Sequence, residues 1–463
     1  MQLIQHIFHT FLSIAEKVLD ACENGVDYSQ FQRELQEKFN QLGCEICREV
    51  LEAHDQYLLR NRSQRKGWHV ERRNDSKEVL SPFGPVRYKR TYFKGPDGYA
   101  HLVDQMAGLG PHARLDNTLK AALVEKAVDM SYRKSGIAPS QHAPGVDVSG
   151  QTVMNTIRGF NPAAVKKKES KVKRRVRFLY IEADEDHVAR TKGRSMQIKL
   201  VYVHEGKEYN GKRAKLINPY YFSGKYDSTE ALWFDVATYI ANTYEVESIE
   251  TIFIAGDGAP WIRGGKEYFP NSVFILDRFH LCKYVLRAVG RYPDLKKSLW
   301  RAIKQDDIIL ADDILQEALT RAESKTHKKA IRDCFHYIKT NWDGIQAYRE
   351  YPAAVGCSAE GHVSHILSSR LSSRPQGWSR EGAEKMASLR VLKANGFSVK
   401  DEYLSQRSTN TFLLKACKDA IHQQRLLLKQ QLSQVMRGNL PALKGHTTYL
   451  TKALRGLSQA SSL

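Results

Sequence analysis

Two acidic residues stand where carboxylates commonly bind metal ions. Asp184 follows the apolar run FLYIEA, and Asp257 lies between two glycines after TIFIA. Each apolar run predicts a buried strand, where a carboxylate is costly unless a partner or a cation neutralises it. Oxygen ligands favour Mg²⁺ or Mn²⁺, and the glycines would let backbone and substrate approach Asp257. Either acid alone is explained equally well as a turn residue, whereas the two on one sheet favour a metal site.

A third carboxylate is needed to hold two metal ions, and Glu360 is the best candidate. It begins a predicted helix in GCSAEGHVSHILSSRLSSRPQGW, whose face rich in Ser, His and Arg is expected to line a cleft or DNA. Other acids could fill two of these positions: Glu185 or Asp186 in place of Asp184, and Glu381 or Glu384 in place of Glu360. Proximity to the strand end favours Asp184, and the Glu-Gly context favours Glu360.

The elements around these acids predict a mixed α/β fold. The order is three strands as a meander, then a helix, a strand, a helix and a strand, which indicates a mixed sheet covered by helices. We place the first part of this core at residues 178–279. Residues 280–356 show no strand signal and predict an all-helical insertion. Residues 357–463 would add the last helices of the core and a basic helical tail.

The segments before this core predict helices, a hairpin and DNA contacts. Residues 1–61 form a helical region, residues 62–114 a basic region with a β-hairpin, residues 115–165 a helix-turn-helix-like region, and residues 166–177 a basic linker. Ser149 is placed to cap a helix whose polar side chains suit base edges, and the linker suits phosphates. The predicted DNA-binding residues, including two near Glu360, are Arg133, Lys134, Gln151, Thr152, Asn155, Arg158, Lys173, Arg174, Arg175, Arg370 and Arg374.

Composition narrows the class of protein. The chain has 463 residues and a formal net charge of +20, with 42% apolar and 26% charged residues. These proportions support ordinary folded cores, and the charge favours nucleic acid or an anionic membrane surface as partner. Basic residues are spread over several segments, which disfavours a membrane-surface helix. No apolar run suits a membrane-spanning helix or a signal peptide, and seven scattered cysteines suit a reducing cytoplasm.

Four motifs taken in order resemble the DDE transposases of bacterial insertion sequences. They are YIEADEDHV, IAGDGAPWI, LDRFHLCKY and AEGHVSHILSSRLSSRP. The closest likeness is to the ISLre type, related to the Mutator-like group, and it covers essentially the whole chain. The resemblance implies an RNase H-like core in which Asp184, Asp257 and Glu360 form the catalytic triad and hold two divalent metal ions, Mg²⁺ or Mn²⁺. Asp277 and His280 match the D-x-x-H element that Mutator-like enzymes place after the second Asp.

The resemblance also implies an activity. Such an enzyme binds the terminal inverted repeats of its element, cleaves a strand and joins the freed 3′-hydroxyl to target DNA by two-metal phosphoryl transfer. We therefore expect a DNA-bound homo-oligomer at the nucleoid in the bacterial cytoplasm, with no membrane association. Two alternatives remain open: an RNase H-like nuclease without strand transfer, and a non-catalytic DNA-binding derivative.

Overall fold

A computed structural model describes residues 2–96, 98–143, 145–162, 172–211, 213–374 and 376–407. Most of the predicted basic tail and residues 166–171 of the predicted linker lie outside these ranges. The described chain divides into two compact units. The first holds residues 2–119, 140–146 and 407, and the second holds residues 120–139 and 147–406.

The first unit combines a helical hairpin with a small antiparallel sheet. Its elements are α1 (Gln2–Asn24), α2 (Tyr28–Arg60), β1 (His69–Ser81), β2 (Gly84–Gly95), β3 (Gly98–Ala100) and α3 (Leu102–Met106). The helical hairpin and the β1–β2 hairpin were predicted, whereas the short β3 was not. Buried Asp55 on α2 joins the two parts, because it accepts hydrogen bonds from Thr91 N at 2.8 Å and Thr91 Oγ1 at 2.6 Å.

The two helices of the predicted helix-turn-helix are present, but their connection is long. α4 (Asn117–Ala127) precedes α5 (Tyr132–Ile137) and α6 (Gly150–Arg158). Ser149 caps α6 as predicted, since its side chain accepts from Thr152 N. Residues 138–149 separate α5 from α6, where a helix-turn-helix has a turn of about 3–4 residues. The two helices lie where they were predicted, and the connection between them is longer than the turn of a compact helix-turn-helix.

A five-stranded mixed sheet forms the centre of the second unit. Its strands are β4 (Phe178–Val188), β5 (Met196–His204), β8 (Tyr220–Phe222), β9 (Thr251–Gly256) and β10 (Ser272–Leu276), in the order β10-β9-β4-β5-β8. β4, β9 and β10 are parallel, while β5 and β8 are antiparallel to their neighbours. β6 (Lys207–Asn210) and β7 (Arg213–Leu216) pair with each other as a separate two-stranded ribbon. The third predicted strand therefore forms two strands, β7 in this ribbon and β8 in the main sheet.

Helices cover both faces of this sheet. Leu179, Ile181 and Ala183 of β4 pack with Trp233 of α7 (Thr229–Thr243), while Tyr180 on the opposite face packs in a cluster with Ala347 of α13 (Trp342–Glu350). The alternation of β4 explains this division, because successive side chains point to opposite faces. The mixed α/β prediction is confirmed at this level.

The predicted insertion contains helices and no strand, although residues 351–356 at its end are irregular. α8 (Pro260–Arg263) lies between β9 and β10, and the helices after β10 are α9 (Arg278–Val289), α10 (Pro293–Gln305), α11 (Ile308–Arg321), α12 (Lys325–Thr340) and α13 (Trp342–Glu350). The chain then returns through α14 (Ala359–Val363), a π-helical turn (Ser364–Ser368), α15 (Ser369–Leu371), α16 (Arg380–Ala394) and α17 (Val399–Ser405). No helix in the described ranges is both long enough and apolar enough to cross a membrane.

Candidate active site

The candidate site lies beyond the carboxyl ends of three parallel strands. The β4–β9 pairing ends where Glu182 lies opposite Ala255, and β10 runs parallel to β9 on its other side. Asp257 directly follows β9, and Asp277 directly follows β10. Asp184 comes two residues after the last β4–β9 pair. Because the carboxyl ends of parallel strands meet at one edge, these acids share that edge of the sheet.

Asp184 is not at the end of its strand, which differs from the prediction. β4 continues to Val188 because its antiparallel pairing with β5 persists, with Asp184 opposite Leu200. Only its parallel neighbour β9 has ended at this level. The carboxylate therefore stands on a rigid strand beside the open edge instead of in a turn.

The three predicted carboxylates share one electrostatic environment. Asp184 is 9% exposed and accepts a hydrogen bond from Glu185 N at 2.8 Å. Burial raises the pKa of Asp184 to about 7; the charge of His280 opposes this rise, whereas the charges of Asp257 and Glu360 add to it. The charges of Asp257, Glu360 and His280 therefore all act on Asp184, and Glu360 itself is exposed.

The other acids of β4 have different surroundings. Glu185, on the opposite face, accepts hydrogen bonds from Trp261 Nε1 at 2.6 Å and Gln197 Nε2 at 2.8 Å. Asp186 is buried and accepts from Ser372 Oγ at 2.7 Å, but its second oxygen has no partner. Glu185 is therefore engaged on the opposite face of β4 from Asp184, whereas Asp186 lies on the same face and is bonded to Ser372.

The alternatives to Glu360 lie on α16. Glu384 pairs with Arg380 at 2.8 Å, and exposed Glu381 lies 3.6 Å from Lys385. Glu360 is the glutamate whose charge acts on Asp184. Its helix α14 continues through the π-helical turn, a feature that often accompanies functional sites.

The glycines beside Asp257 make room for the protein's own atoms. A Cβ on Gly258, whose φ is +92°, would lie 2.4 Å from Asn341 Oδ1, and a Cβ on Gly256 would lie 2.8 Å from Ala183 O. The expectation that both glycines admit substrate is therefore corrected, because helix and strand atoms occupy that space. Asp257 itself is fixed by a turn in which its Oδ1 accepts from Ala259 N at 2.9 Å.

Asp277 and His280 form a pair at the start of α9. Asp277 caps the helix, with Oδ1 accepting from Phe279 N at 2.9 Å, and its Oδ2 lies 2.8 Å from His280 Nδ1. This hydrogen bond raises the pKa of His280 despite burial, and the charges of Asp184 and Asp257 act in the same direction. The pair therefore favours a protonated imidazole beside the acids.

The donor set suits a hard divalent cation. Asp184, Asp257 and Glu360 are oxygen donors, and within the described ranges none forms an ion pair with Lys or Arg. A cation would also lower the raised pKa of Asp184. Across the same part of the chain, no three His, Cys, Asp or Glu side chains are close enough to hold one ion. The oxygen atoms of these three acids are suitable ligands for a divalent cation, but the three side chains are not close enough together to surround one ion.

Most predicted DNA-binding residues are on the surface. Thr152 is half-buried, and the exposed ones are Arg133, Lys134, Gln151, Asn155, Arg158, Lys173, Arg174, Arg175 and Arg374. Two of these already have acidic partners, since Arg174 pairs with Glu205 and Arg175 pairs with Glu245. A phosphate would have to compete with those carboxylates.

Arg370 contradicts its predicted role as a phosphate contact. It is 6% exposed, and its Nε donates to Ala127 O at 3.0 Å. Its guanidinium lies over the rings of Trp378, at 4.9 Å, and Tyr132, at 5.2 Å. The guanidinium thus stacks within the fold and offers no exposed face to DNA.

Sequence reasoning missed Glu182, which is 1% exposed. Burial alone would raise the pKa of Glu182, but the hydrogen bond with His204 and the charge of Lys207 hold it well below its usual value. The available signal was its position two residues before Asp184, which places both acids on one face of β4.

The chain matches proteins to which no activity is assigned. The model of the "Uncharacterised protein family (UPF0236)" matches residues 21–408. A UPF0236 protein of Caldanaerobacter subterraneus subsp. tengcongensis, whose name joins eleven loci, is 38% identical over 448 residues, 95% of this chain and 94% of the relative. The "UPF0236 protein in vanSb 3'region" of Streptococcus gallolyticus is 25% identical over 382 residues, 80% of this chain and 83% of the relative.

Proposed function

Since the chain belongs to the UPF0236 family, whose description assigns no activity, we propose from the site itself that the protein is a metal-dependent DNA transposase. The observation that carries the proposal is the position of Asp184 and Asp257 beside the carboxyl ends of parallel β4 and β9, with the charge of Glu360 also acting on Asp184. The charges of Asp257 and Glu360 act on buried Asp184, which has no Lys or Arg partner within the described ranges.

The arrangement of the sheet supports an RNase H-like core. A central strand carries the first acid, two antiparallel strands follow it, and two parallel strands reached through helices lie on its other side. The helical insertion comes after β10, and the chain then returns with Glu360 on α14. This order of acids along the fold is the one that the resemblance to DDE transposases implies.

The site residues would act together on a phosphate of DNA. Asp184, Asp257 and Glu360 would hold two divalent ions, which would supply activation of the attacking hydroxyl or water and stabilisation of the leaving oxygen. Asp277 orients His280 and favours its protonated form, and this positive charge would attract a phosphate of DNA. The acids hold cations and need not carry protons.

Two further observations support DNA and mobility. Gln151, Asn155 and Arg158 are exposed on α6 in a chain of net charge +20, so this helix is our candidate for contacts with element ends. One relative's name joins eleven loci of one genome, as expected of a mobile element. The protein would act as a homo-oligomer on paired ends at the bacterial nucleoid.

A cleavage assay tests the proposal. Purified full chain is mixed with labelled DNA carrying an end of its own element, with Mg²⁺ or Mn²⁺. We expect metal-dependent nicking at the end that is lost in Asp257→Asn and kept in Asp313→Asn, an exposed acid on α11. Cutting that survives Asp257→Asn would overturn the site. Nicking without subsequent joining would favour a nuclease, and binding without cutting would favour a non-catalytic protein.

A further inference from the structure

A buried ionic network lies next to the candidate site on β4. Glu182 Oε1 is 2.7 Å from Lys207 Nζ and 3.1 Å from His204 Nε2. Its Oε2 accepts from Tyr202 Oη. The side chains of Glu182, His204 and Lys207 are at most 3% exposed. Such a network is costly to bury and no more stabilising than apolar packing, so its presence calls for a specific role.

The network holds the point where the chain returns from the helical insertion. Glu182 Oε2 accepts from Ser358 N at 2.5 Å and from Ser358 Oγ at 2.9 Å. Lys207 Nζ donates to Gly356 O and, at 2.9 Å, to Ser358 Oγ. Both charged side chains of the network therefore contact one short segment, which immediately precedes α14.

Contacts on both sides of Glu360 fix α14 while leaving its carboxylate exposed. Ser358, two residues before it, is bound by Glu182 as described. His362, two residues after it, has Nδ1 3.1 Å from Tyr221 Oη and its ring 4.7 Å from that of Tyr202. Tyr202 also contacts Glu182, so both flanks of Glu360 are tied to the same network.

We propose that Glu182 and Lys207 are positioning residues that set the distance between Glu360 and Asp184 by holding Ser358. The inference rests on the proposed function, in which those two acids share metal ions. β4 fixes the separation of the two acids, because Glu182 and Asp184 lie on one face of this strand, roughly 7 Å apart along it. Anchoring Ser358 to Glu182 therefore fixes the start of α14 relative to Asp184.

The charges suit this role better than apolar packing would. Hydrogen bonds from Ser358 N and Oγ have defined directions, and in a dry interior they tolerate little displacement. An apolar contact would allow the returning segment to slide. We therefore expect loss of the network to change the order of α14 and metal affinity more than the stability of the sheet.

Four variants test the role without emptying the core. Ser358→Ala removes the hydroxyl contacts with Glu182 and Lys207 but keeps the backbone N–H. Ser358→Thr keeps a hydroxyl and serves as the conservative rescue. Ser405→Ala is the matched control, because its exposed hydroxyl donates to Glu402 O on α17. Glu182→Gln keeps the shape of the side chain and removes its charge, and it is measured in the same way if the variant folds.

Two readouts on the full chain decide the matter. Hydrogen exchange of amides 358–363 should quicken in Ser358→Ala, recover in Ser358→Thr and stay unchanged in Ser405→Ala. Mn²⁺ affinity, followed by the paramagnetic resonance of free Mn²⁺, should fall by about 10-fold in Ser358→Ala, with DNA affinity unchanged. Unchanged exchange, or a lower melting temperature with unaltered Mn²⁺ affinity, would overturn the proposal. If the wild type neither binds Mn²⁺ nor cuts DNA, the proposed function fails, and the exchange rates alone decide the positioning role.

Discussion

Asp104 in the first unit and Asp184 in the second are both buried carboxylates, 5% and 9% exposed, but their partners differ. Asp104 accepts from Tyr88 Oη at 2.5 Å, from Lys77 Nζ at 3.0 Å and from Arg90. Asp184 accepts from one backbone N–H and faces other acids. The first acid is neutralised by the fold, whereas burial and the neighbouring acids disfavour the charge of the second more than His280 favours it, so that a bound cation would stabilise it.

Removing the paired acid should have the largest effect. Asp104→Ala leaves Lys77 and Arg90 buried without their carboxylate, and we expect a loss of about 3–5 kcal/mol in the free energy of unfolding. Burial already lowers the pKa of Lys77 to about 8, so part of this cost would be relieved by its deprotonation. Urea denaturation at pH 7 measures the loss, with exposed Asp313→Asn as control. A loss below 1 kcal/mol would mean that Asp104 is not the neutralising partner.

The unpaired acid should have the opposite effect in metal-free protein. The folded-state pKa of Asp184, about 7, is above its ordinary value of 3.8, so the folded protein binds this proton more tightly. Its contribution to stability is present below pH 4 and is lost as pH rises to about 7. We expect Asp184→Asn to exceed the wild type by roughly 4 kcal/mol at pH 8 and to lose that advantage at pH 4.

That comparison is made by urea denaturation in chelator at both pH values, with Asp313→Asn again as control. Parallel pH profiles for wild type and Asp184→Asn would contradict the assignment of an uncompensated charge to Asp184.

Divalent metal should stabilise the wild type and leave Asp184→Asn unaffected. Binding to the folded state alone adds about 1.4 kcal/mol when Mg²⁺ is at ten times its Kd. Thermal unfolding at pH 8 with and without Mg²⁺ measures the gain, and Asp104→Asn is compared because its lost carboxylate already had protein partners. Equal stabilisation of wild type and Asp184→Asn would place the metal elsewhere.

The same contrast between free and engaged side chains applies to arginines. Exposed Arg158 on α6 should contribute about 1 kcal/mol to DNA affinity, or ~5-fold in Kd, because its guanidinium is available to phosphates or bases. Arg370→Ala should lower stability and leave the Kd of the folded protein unchanged, since its guanidinium is stacked on Trp378. Fluorescence anisotropy with labelled end DNA distinguishes these results, and equal losses of affinity would contradict the distinction.

Local features were predictable from the sequence. The cap at Ser149, the β1–β2 hairpin and the apolar strands before Asp184 and Asp257 depend on neighbouring residues and appear as expected. The mixed sheet followed from the order of these elements. Glu360 was preferred to Glu381 and Glu384 for its Glu-Gly context, and the family resemblance implied the same residue.

Long-range contacts account for what the sequence did not reveal. Glu182 meets Ser358, which is 176 positions away, so nothing near either residue indicates their bond. The length of β4 depends on pairing with β5 beyond the end of β9. The burial of Arg370 depends on Ala127, 243 positions distant, and a basic residue beside a polar helix face gives no sign of it.

A strand-transfer assay tests the central claim most directly. A pre-cut element end with a free 3′-hydroxyl is incubated with plasmid, Mg²⁺ and either wild type, Glu360→Gln or the matched control Glu381→Gln. We predict joined product with wild type and Glu381→Gln, and a loss of roughly 1,000-fold, about 4 kcal/mol, with Glu360→Gln. Joining by Glu360→Gln at the wild-type rate would contradict the assignment of Glu360 to the site and the transposase mechanism built on it.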